Sequence, residues 1–122
     1  MKKALVVDDN DVNRILATRL LGKSGWDVSE ADCGEAALLY LANNSVSLIL
    51  LDVSMPTMSG QEVCRRIRDE TLGGDGVKIV AYTAHAMQEE IAELLSCGFD
   101  TVLSKPMSRD RLNATLVEMG FL

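Results

Sequence analysis

Residues Leu48–Gly60 read LILLDVSMPTMSG. Four consecutive large aliphatic side chains, Leu48–Leu51, end abruptly in Asp52, and a Met/Pro/Ser stretch then leads to Gly60. An unbroken aliphatic run of this length, bounded by turn residues, reads as a strand buried on both faces. Beyond Gly60, the residues Val63, Cys64 and Ile67 recur at helical spacing. The segment is therefore strand, carboxylate, loop, helix, and the carboxylate sits where the strand leaves the core.

The same unit recurs on either side. Apolar runs lie at Ala4–Val7, weakly near Val28, at Ile79–Tyr82 and at Thr101–Leu103. Helical stripes separate them. Val12, Ile15, Leu16 and Leu20 share one face, with Gly22 and Gly25 as stops, and Ala37, Leu38 and Leu41 follow Gly34. Met87, Ile91, Leu94 and Leu95 run to Gly98, which suits a helix C-terminus. Leu112, Leu116 and Met119 form the last stripe, with Ser108 as its N-cap. Strand and helix thus alternate five times, so the fold class is α/β: a doubly wound (βα)5 parallel sheet with helices on both faces. Thr71–Gly76 (TLGGDG) is the one glycine-rich loop and reads as a flexible connection.

Composition sets bounds on this reading. The chain has 122 residues, 48% hydrophobic and 25% charged, which suits a single domain spanning 1–122. A formal net charge of −6 argues against direct binding of nucleic acid or an anionic membrane. Cys33, Cys64 and Cys97 form no C-x-x-C pair, which speaks for a reducing compartment and against a disulfide framework. The apolar run after Met1-Lys2-Lys3 stops at Asp8, too soon for a secretory leader. The expected location is cytoplasmic.

In an open parallel sheet, ligands bind outside the carboxyl ends of the strands. Four of the five runs end there in polar residues: Asp8-Asp9, Asp52, Thr83 and Ser104-Lys105-Pro106. Three carboxylates that close together cannot all stay ionised without an offsetting charge. Mg²⁺, which takes one or two carboxylates plus water and phosphate oxygens, is the natural partner. Lys105 adds a fixed cation and Thr83 a hydroxyl. Together they suit a phosphoryl group in transfer, attacked by Asp52 and neutralised at its outer oxygens. Each residue alone has an ordinary explanation. Asp8, Asp9 and Asp11 precede a helix and could be caps, Asp52 could be a turn residue, Thr83 a strand end and Lys105 a solvated lysine.

The segments VVDDN (Val6–Asn10), LILLDVSMPTMSG (Leu48–Gly60), VAYTAHAM (Val80–Met87) and LSKP (Leu103–Pro106), in this order, resemble the receiver domain of two-component response regulators. The likeness covers essentially the whole chain and implies a flavodoxin-like sheet in the order 2-1-3-4-5. It implies that Asp52 is the phosphorylated residue. Mg²⁺ would be bound by Asp9, Asp52 and the Ser54 backbone carbonyl, with Asp8 acting largely through water. Thr83 and Lys105 would hold the phosphoryl oxygens, and the Lys105–Pro106 bond would be cis. Ser54 and His85 stand where family members tune phosphoryl lifetime, although a histidine opening a helix is more often plain surface.

The resemblance further implies a self-catalysed aspartyl phosphorylation and dephosphorylation, not a turnover enzyme. A histidine kinase or histidine phosphotransfer protein would supply the phosphate, and a downstream protein would read the result. The start VDDN-x-x-NR, completed by Asn13 and Arg14, is most similar to receivers of hybrid kinases and phosphorelays. No output segment is expected after Leu122, so signalling is expected through protein contacts, at the surface of the fourth helix, fifth strand and fifth helix or at the first helix. One position departs from the family pattern. Val102, three residues before Lys105, is commonly aromatic there, and valine cannot swing between buried and exposed rotamers.

Competing chemistries fit less well. An aspartyl-phosphate phosphatase of the haloacid-dehalogenase type wants D-x-D, but Ser54 stands at the third place. A nucleotide or flavin module wants a glycine- or hydroxyl-rich loop after the first strand, where this chain has DDND. A partner-binding pseudo-receiver would not need the full Asp/Asp/Asp/Thr/Lys set. Arg65, Arg66 and Arg68 read as the wet face of a helix, and Trp26, Phe99, Met87 and Met119 as packing residues.

Overall fold

Strand and helix alternate through the whole chain in the computed structural model, which describes residues 2–84 and 87–121. The elements are β1 (Lys3–Val7), α1 (Asp11–Lys23), β2 (Asp27–Ala31), α2 (Gly34–Asn43) and β3 (Leu48–Asp52). They continue as α3 (Gly60–Glu70), β4 (Lys78–Thr83), α4 (Gln88–Ser96), β5 (Thr101–Ser104) and α5 (Arg109–Glu118). All neighbouring strands are parallel, in the order β2-β1-β3-β4-β5. This is the flavodoxin-like arrangement.

Alternation along each strand feeds two cores. Leu5, Val7, Ile49, Leu51, Ile79 and Ala81 pack on one side against α2, α3 and Phe99. Ala4, Val6, Leu48, Leu50, Val80 and Tyr82 pack on the other, against α1, α5 and Trp26. Both faces are covered, so the strands need no polar alternation. Ser108 caps α5 by accepting from the Arg111 backbone N–H at 3.2 Å. Among the described residues no helix is long and apolar enough to cross a membrane.

Gly60 is required where it stands. A Cβ there would overlap the Asp52 carbonyl oxygen and lie 2.7 Å from Val53 Cα. The start of α3 is thus pressed against the end of β3, and the Gly60 N–H donates to the Val53 carbonyl at 3.0 Å.

Four expectations are corrected. On α1 most of the apolar stripe faces solvent: Val12 is 76% exposed and Ile15 and Leu16 are also exposed, while Leu20 is partly buried against the core. The buried positions are Ala17 and Leu21, on the face shared with Arg14 and Thr18. Small Ala17 lets the helix lie close to the sheet, and Arg14 is drawn inward by three acceptors described below. Met87 is exposed as well, ahead of the first turn of α4.

Arg68 is no solvated residue. It donates to Gly98 O (3.0 Å), Val77 O (2.8 Å) and Asp100 Oδ2 (2.8 Å), while Asp100 Oδ2 also accepts from Ile79 N. Arg65 and Arg66 are exposed, as expected of a wet face, with Arg65 reaching Cys97 Sγ at 3.3 Å and Arg66 paired with Glu70 on the same helix. The Thr71–Gly76 connection is anchored, because Gly73 donates to Leu41 O and accepts from Val46 N.

The first and last described residues meet at the amino ends of the strands. Lys2 Nζ donates to the Phe121 carbonyl at 2.6 Å and lies over the rings of Trp26 and Phe121, which contact edge-to-face.

Candidate phosphoryl- and cation-binding site

Parallel pairing in register brings the carboxyl ends of β1, β3, β4 and β5 to one rim. Val7 pairs with Leu51, Asp52 with Tyr82, and Thr83 with Ser104. Asp8 and Asp9 leave β1 beside Asp52, and Lys105 follows β5. The connections are pinned by backbone bonds: Asp8 N to Ala31 O (3.1 Å), Val53 N to Tyr82 O (3.2 Å) and Lys105 N to Thr83 O (2.8 Å). The Lys105–Pro106 peptide is cis.

One carboxylate oxygen from each of Asp8, Asp9 and Asp52 lies within 4.8 Å of the other two. Asp8 and Asp52 are buried, Asp9 exposed. Lys105 Nζ donates to Asp52 Oδ1 at 3.1 Å and stands 3.5 Å from Asp8 Oδ2, above the Tyr82 ring. The Ser54 backbone N–H also donates to Asp52 Oδ1, at 3.3 Å. Asp8 Oδ1 accepts from Asn10 N at 2.9 Å, whereas Asp8 Oδ2 is buried without a hydrogen-bond partner. That oxygen and the two neighbouring carboxylates form a donor set suited to a hard divalent cation.

The electrostatics follow from burial. Burial first, and Asp8's charge second, push the Asp52 carboxyl up to about 6, against the opposing pull of Lys105. Burial alone would pull the Lys105 ammonium down, but Asp52 and Asp8 more than offset it and raise it. The lysine is a fixed cation at neutral pH. Asp52 is the carboxylate whose ionisation most needs help.

Ser54 and Thr83 line a cavity next to the carboxylates, walled by Val53, Gln61, Glu90, Glu93 and Leu94. Thr83 is buried. The rim therefore gathers Asp8, Asp9, Asp52, Ser54, Thr83 and Lys105, all singled out from sequence. His85 lies outside the described residues. The capping role open to Asp8, Asp9 and Asp11 belongs to Asn10, whose Oδ1 accepts from Asn13 N at 3.0 Å.

Arg14 has a place at this rim that its sequence context did not reveal. It donates through Nη1 to the Asp8 carbonyl (2.9 Å), through Nη2 to Asp11 Oδ1 (2.6 Å) and through Nε to Glu30 Oε1 (3.0 Å). Its only signal was its position completing VDDN-x-x-NR.

A five-stranded doubly wound sheet with an acidic, lysine-faced rim defines a flavodoxin-like domain whose site lies at the strands' carboxyl ends. Within that class, the chain belongs to the response regulator receiver domain family, whose model matches residues 4–117. It is 40% identical over 112 residues to the sensor histidine kinase RcsC of Salmonella typhi, covering 92% of this chain and 12% of that protein. The chain thus spans about an eighth of that relative's length.

Among solved structures it is similar to the chemotaxis protein CheY4 of Vibrio cholerae, with TM-score 0.89, 29% identity and coverage of 97% and 98% of the two chains. It is also similar to the receiver domain of the sensor histidine kinase PA1611 of Pseudomonas aeruginosa PAO1. There the TM-score is 0.83, with 28% identity and coverage of 96% and 95%, and that structure is described with a magnesium ion coordinated in its active site cleft. The chain is a receiver domain of the two-component type, homologous to those of hybrid sensor kinases, and the phosphoacceptor role fits this family.

Proposed function

We propose that Asp52 is the phosphoacceptor, that Asp9, Asp52 and the Ser54 carbonyl would hold Mg²⁺ with Asp8 acting largely through water, and that Thr83 and Lys105 hold the phosphoryl oxygens. The observation that carries this reading is the ammonium of Lys105 set between Asp52 (3.1 Å) and Asp8 (3.5 Å), with Asp9 completing the carboxylate cluster.

When bound, Mg²⁺ supplies positive charge that keeps Asp52 ionised and neutralises phosphoryl oxygens. The chain's own residues do the rest. An Asp52 carboxylate oxygen attacks phosphorus of a phosphohistidine; the new O–P bond forms as the P–N bond breaks, and the imidazole leaves. Lys105 then exchanges its Asp52 contact for a phosphoryl oxygen, and the Thr83 hydroxyl donates to another. Water later cleaves the acyl phosphate, returning the carboxylate and inorganic phosphate. The protein promotes its own modification and turns over no free substrate.

The phosphodonor is a histidine kinase or histidine phosphotransfer protein, met at the exposed Val12, Ile15 and Leu16 face of α1, beside the rim. A downstream protein reads the phosphorylated state, and the site of action is the cytoplasm. The test is incubation with acetyl phosphate and Mg²⁺, read by intact mass. The expected result is one hydroxylamine-labile phosphoryl group on the wild type and none on Asp52→Asn or in EDTA. Equal labelling of Asp52→Asn would overturn the assignment.

A further inference from the structure

Besides Asp52, the acidic side chains Asp8, Asp9, Asp11 and Glu30 lie at or near the end of β1, with Asp32 beyond β2. Only Asp8 and Asp9 join Asp52 in the cluster whose oxygens lie within 4.8 Å. Asp11 and Glu30 are turned aside by one guanidinium. Arg14 is largely buried, its side chain 15% exposed, and each of its three nitrogens has an acceptor. Two of those acceptors are the carboxylates of Asp11 and Glu30. The third is the backbone carbonyl of Asp8, the peptide that carries the chain from Asp8 to Asp9.

We infer that Arg14 is a positioning residue for the cation site: it orients the Asp8–Asp9 peptide and withholds Asp11 and Glu30 from the metal. The inference rests on the Mg²⁺ reading above and deepens it. Groups that hold a metal's ligands in place without touching the metal commonly govern affinity. Here the same group also limits how many carboxylates the site presents. Mg²⁺ is content with one or two carboxylates and water, whereas Ca²⁺ takes six to eight oxygens in flexible geometry. A guanidinium that fixes the loop and occupies two spare carboxylates therefore favours the smaller ion. Surface ion pairs are ordinarily weak, and the Asp11 and Glu30 side chains are 77% and 39% exposed; what steadies these pairs is a rigid planar fork whose third arm is anchored on a backbone carbonyl.

The test is calorimetric titration of Mg²⁺ alone and Ca²⁺ alone into the wild type and Arg14→Met, with thermal unfolding in EDTA to establish that each is folded. In Arg14→Met, Mg²⁺ affinity is expected to fall about tenfold, while Ca²⁺ affinity holds or rises, so the preference for Mg²⁺ shrinks by at least that factor. Asp11→Asn added to Arg14→Met takes back part of any Ca²⁺ gain. Removing a positive charge alone would strengthen both divalent ions equally. An unchanged Mg²⁺ to Ca²⁺ ratio, whether both affinities move together or neither moves, overturns the inference. If Arg14→Met does not fold, Arg14→Lys serves in its place: a single ammonium nitrogen lacks the planar fork whose three nitrogens reach the three separate acceptors, so the ratio must shift in the same direction. A wild type that binds no Mg²⁺ defeats the functional reading itself, a result distinct from an unchanged ratio.

Discussion

Lys105 Nζ hydrogen-bonds Asp52 Oδ1 at 3.1 Å, joining the ends of β5 and β3 across 53 residues of chain. Removing that ammonium leaves three carboxylates facing one another and takes away the fixed cation for the incoming phosphoryl group. Lys105→Ala is expected to lower the acetyl phosphate labelling rate by about 10²-fold, the usual scale for losing one pre-placed electrostatic contact. Time-resolved intact mass would measure it. A labelling rate within twofold of wild type would remove Lys105 from the transfer step.

The raised Asp52 carboxyl has a signed consequence for stability. Folded, it titrates near 6; unfolded, near its ordinary 3.8. Between those values the folded protein binds more protons, so metal-free stability falls as pH rises through the window and levels off above it. Unfolding in EDTA at pH 4.5, 5.5 and 7 is expected to show a decline on the order of 2 kcal/mol that Asp52→Asn lacks. An identical slope in wild type and Asp52→Asn would contradict it. Labelling should likewise fade below pH 6 at low Mg²⁺, where the nucleophile is protonated, and recover as Mg²⁺ is raised.

Gly60 predicts a purely steric defect. Gly60→Ala places a methyl group against the Asp52 carbonyl and Val53 Cα, both backbone atoms that cannot rotate away. The expected cost is about 3 kcal/mol, read as a lower urea midpoint at unchanged m-value. Because the displaced peptide carries the acceptor aspartate, labelling should slow as well. A midpoint equal to wild type would show that α3 can slide outward freely.

The α1 surface separates chemistry from docking. Val12 and Ile15 are exposed and make no part of the carboxylate cluster. Ile15→Asp is expected to leave labelling by acetyl phosphate within twofold of wild type. Transfer from a phosphorylated histidine phosphotransfer protein should slow by roughly tenfold or more, since a charge at an interface core costs several kcal/mol of encounter complementarity. Equal loss with both donors would place the effect in the fold and not in the partner contact.

Much of this was readable from residues alone, and the reasons are physical. Strands buried on both faces leave an aliphatic signature that no helix of this length imitates, so β1, β3 and β4 stood out. Their polar terminators then had to meet, because parallel strands share one carboxyl rim. α1 was misjudged for the complementary reason. Periodicity assumes that apolar side chains point inward, and here a half-buried arginine with three acceptors outweighs Val12, Ile15 and Leu16. Arg68 misled in the same way: a long cation between two loops satisfies carbonyls that no sequence pattern announces. Side chains whose partners are backbone oxygens are invisible to any reading based on residue type.

The pairing of Lys2 with Phe121 has a practical corollary. Lys2 and Phe121 lie together at the amino ends of the strands, opposite the carboxyl-end rim that carries the carboxylates. A fluorescent protein, an affinity handle or a surface tether joined at Lys2 or Phe121 should therefore hang clear of the reactive crown. The same neighbourliness makes an excised 2–121 segment a candidate for joining residue 2 to residue 121 through a short glycine bridge, with re-cutting at a loop such as the one after α2, without redirecting any strand.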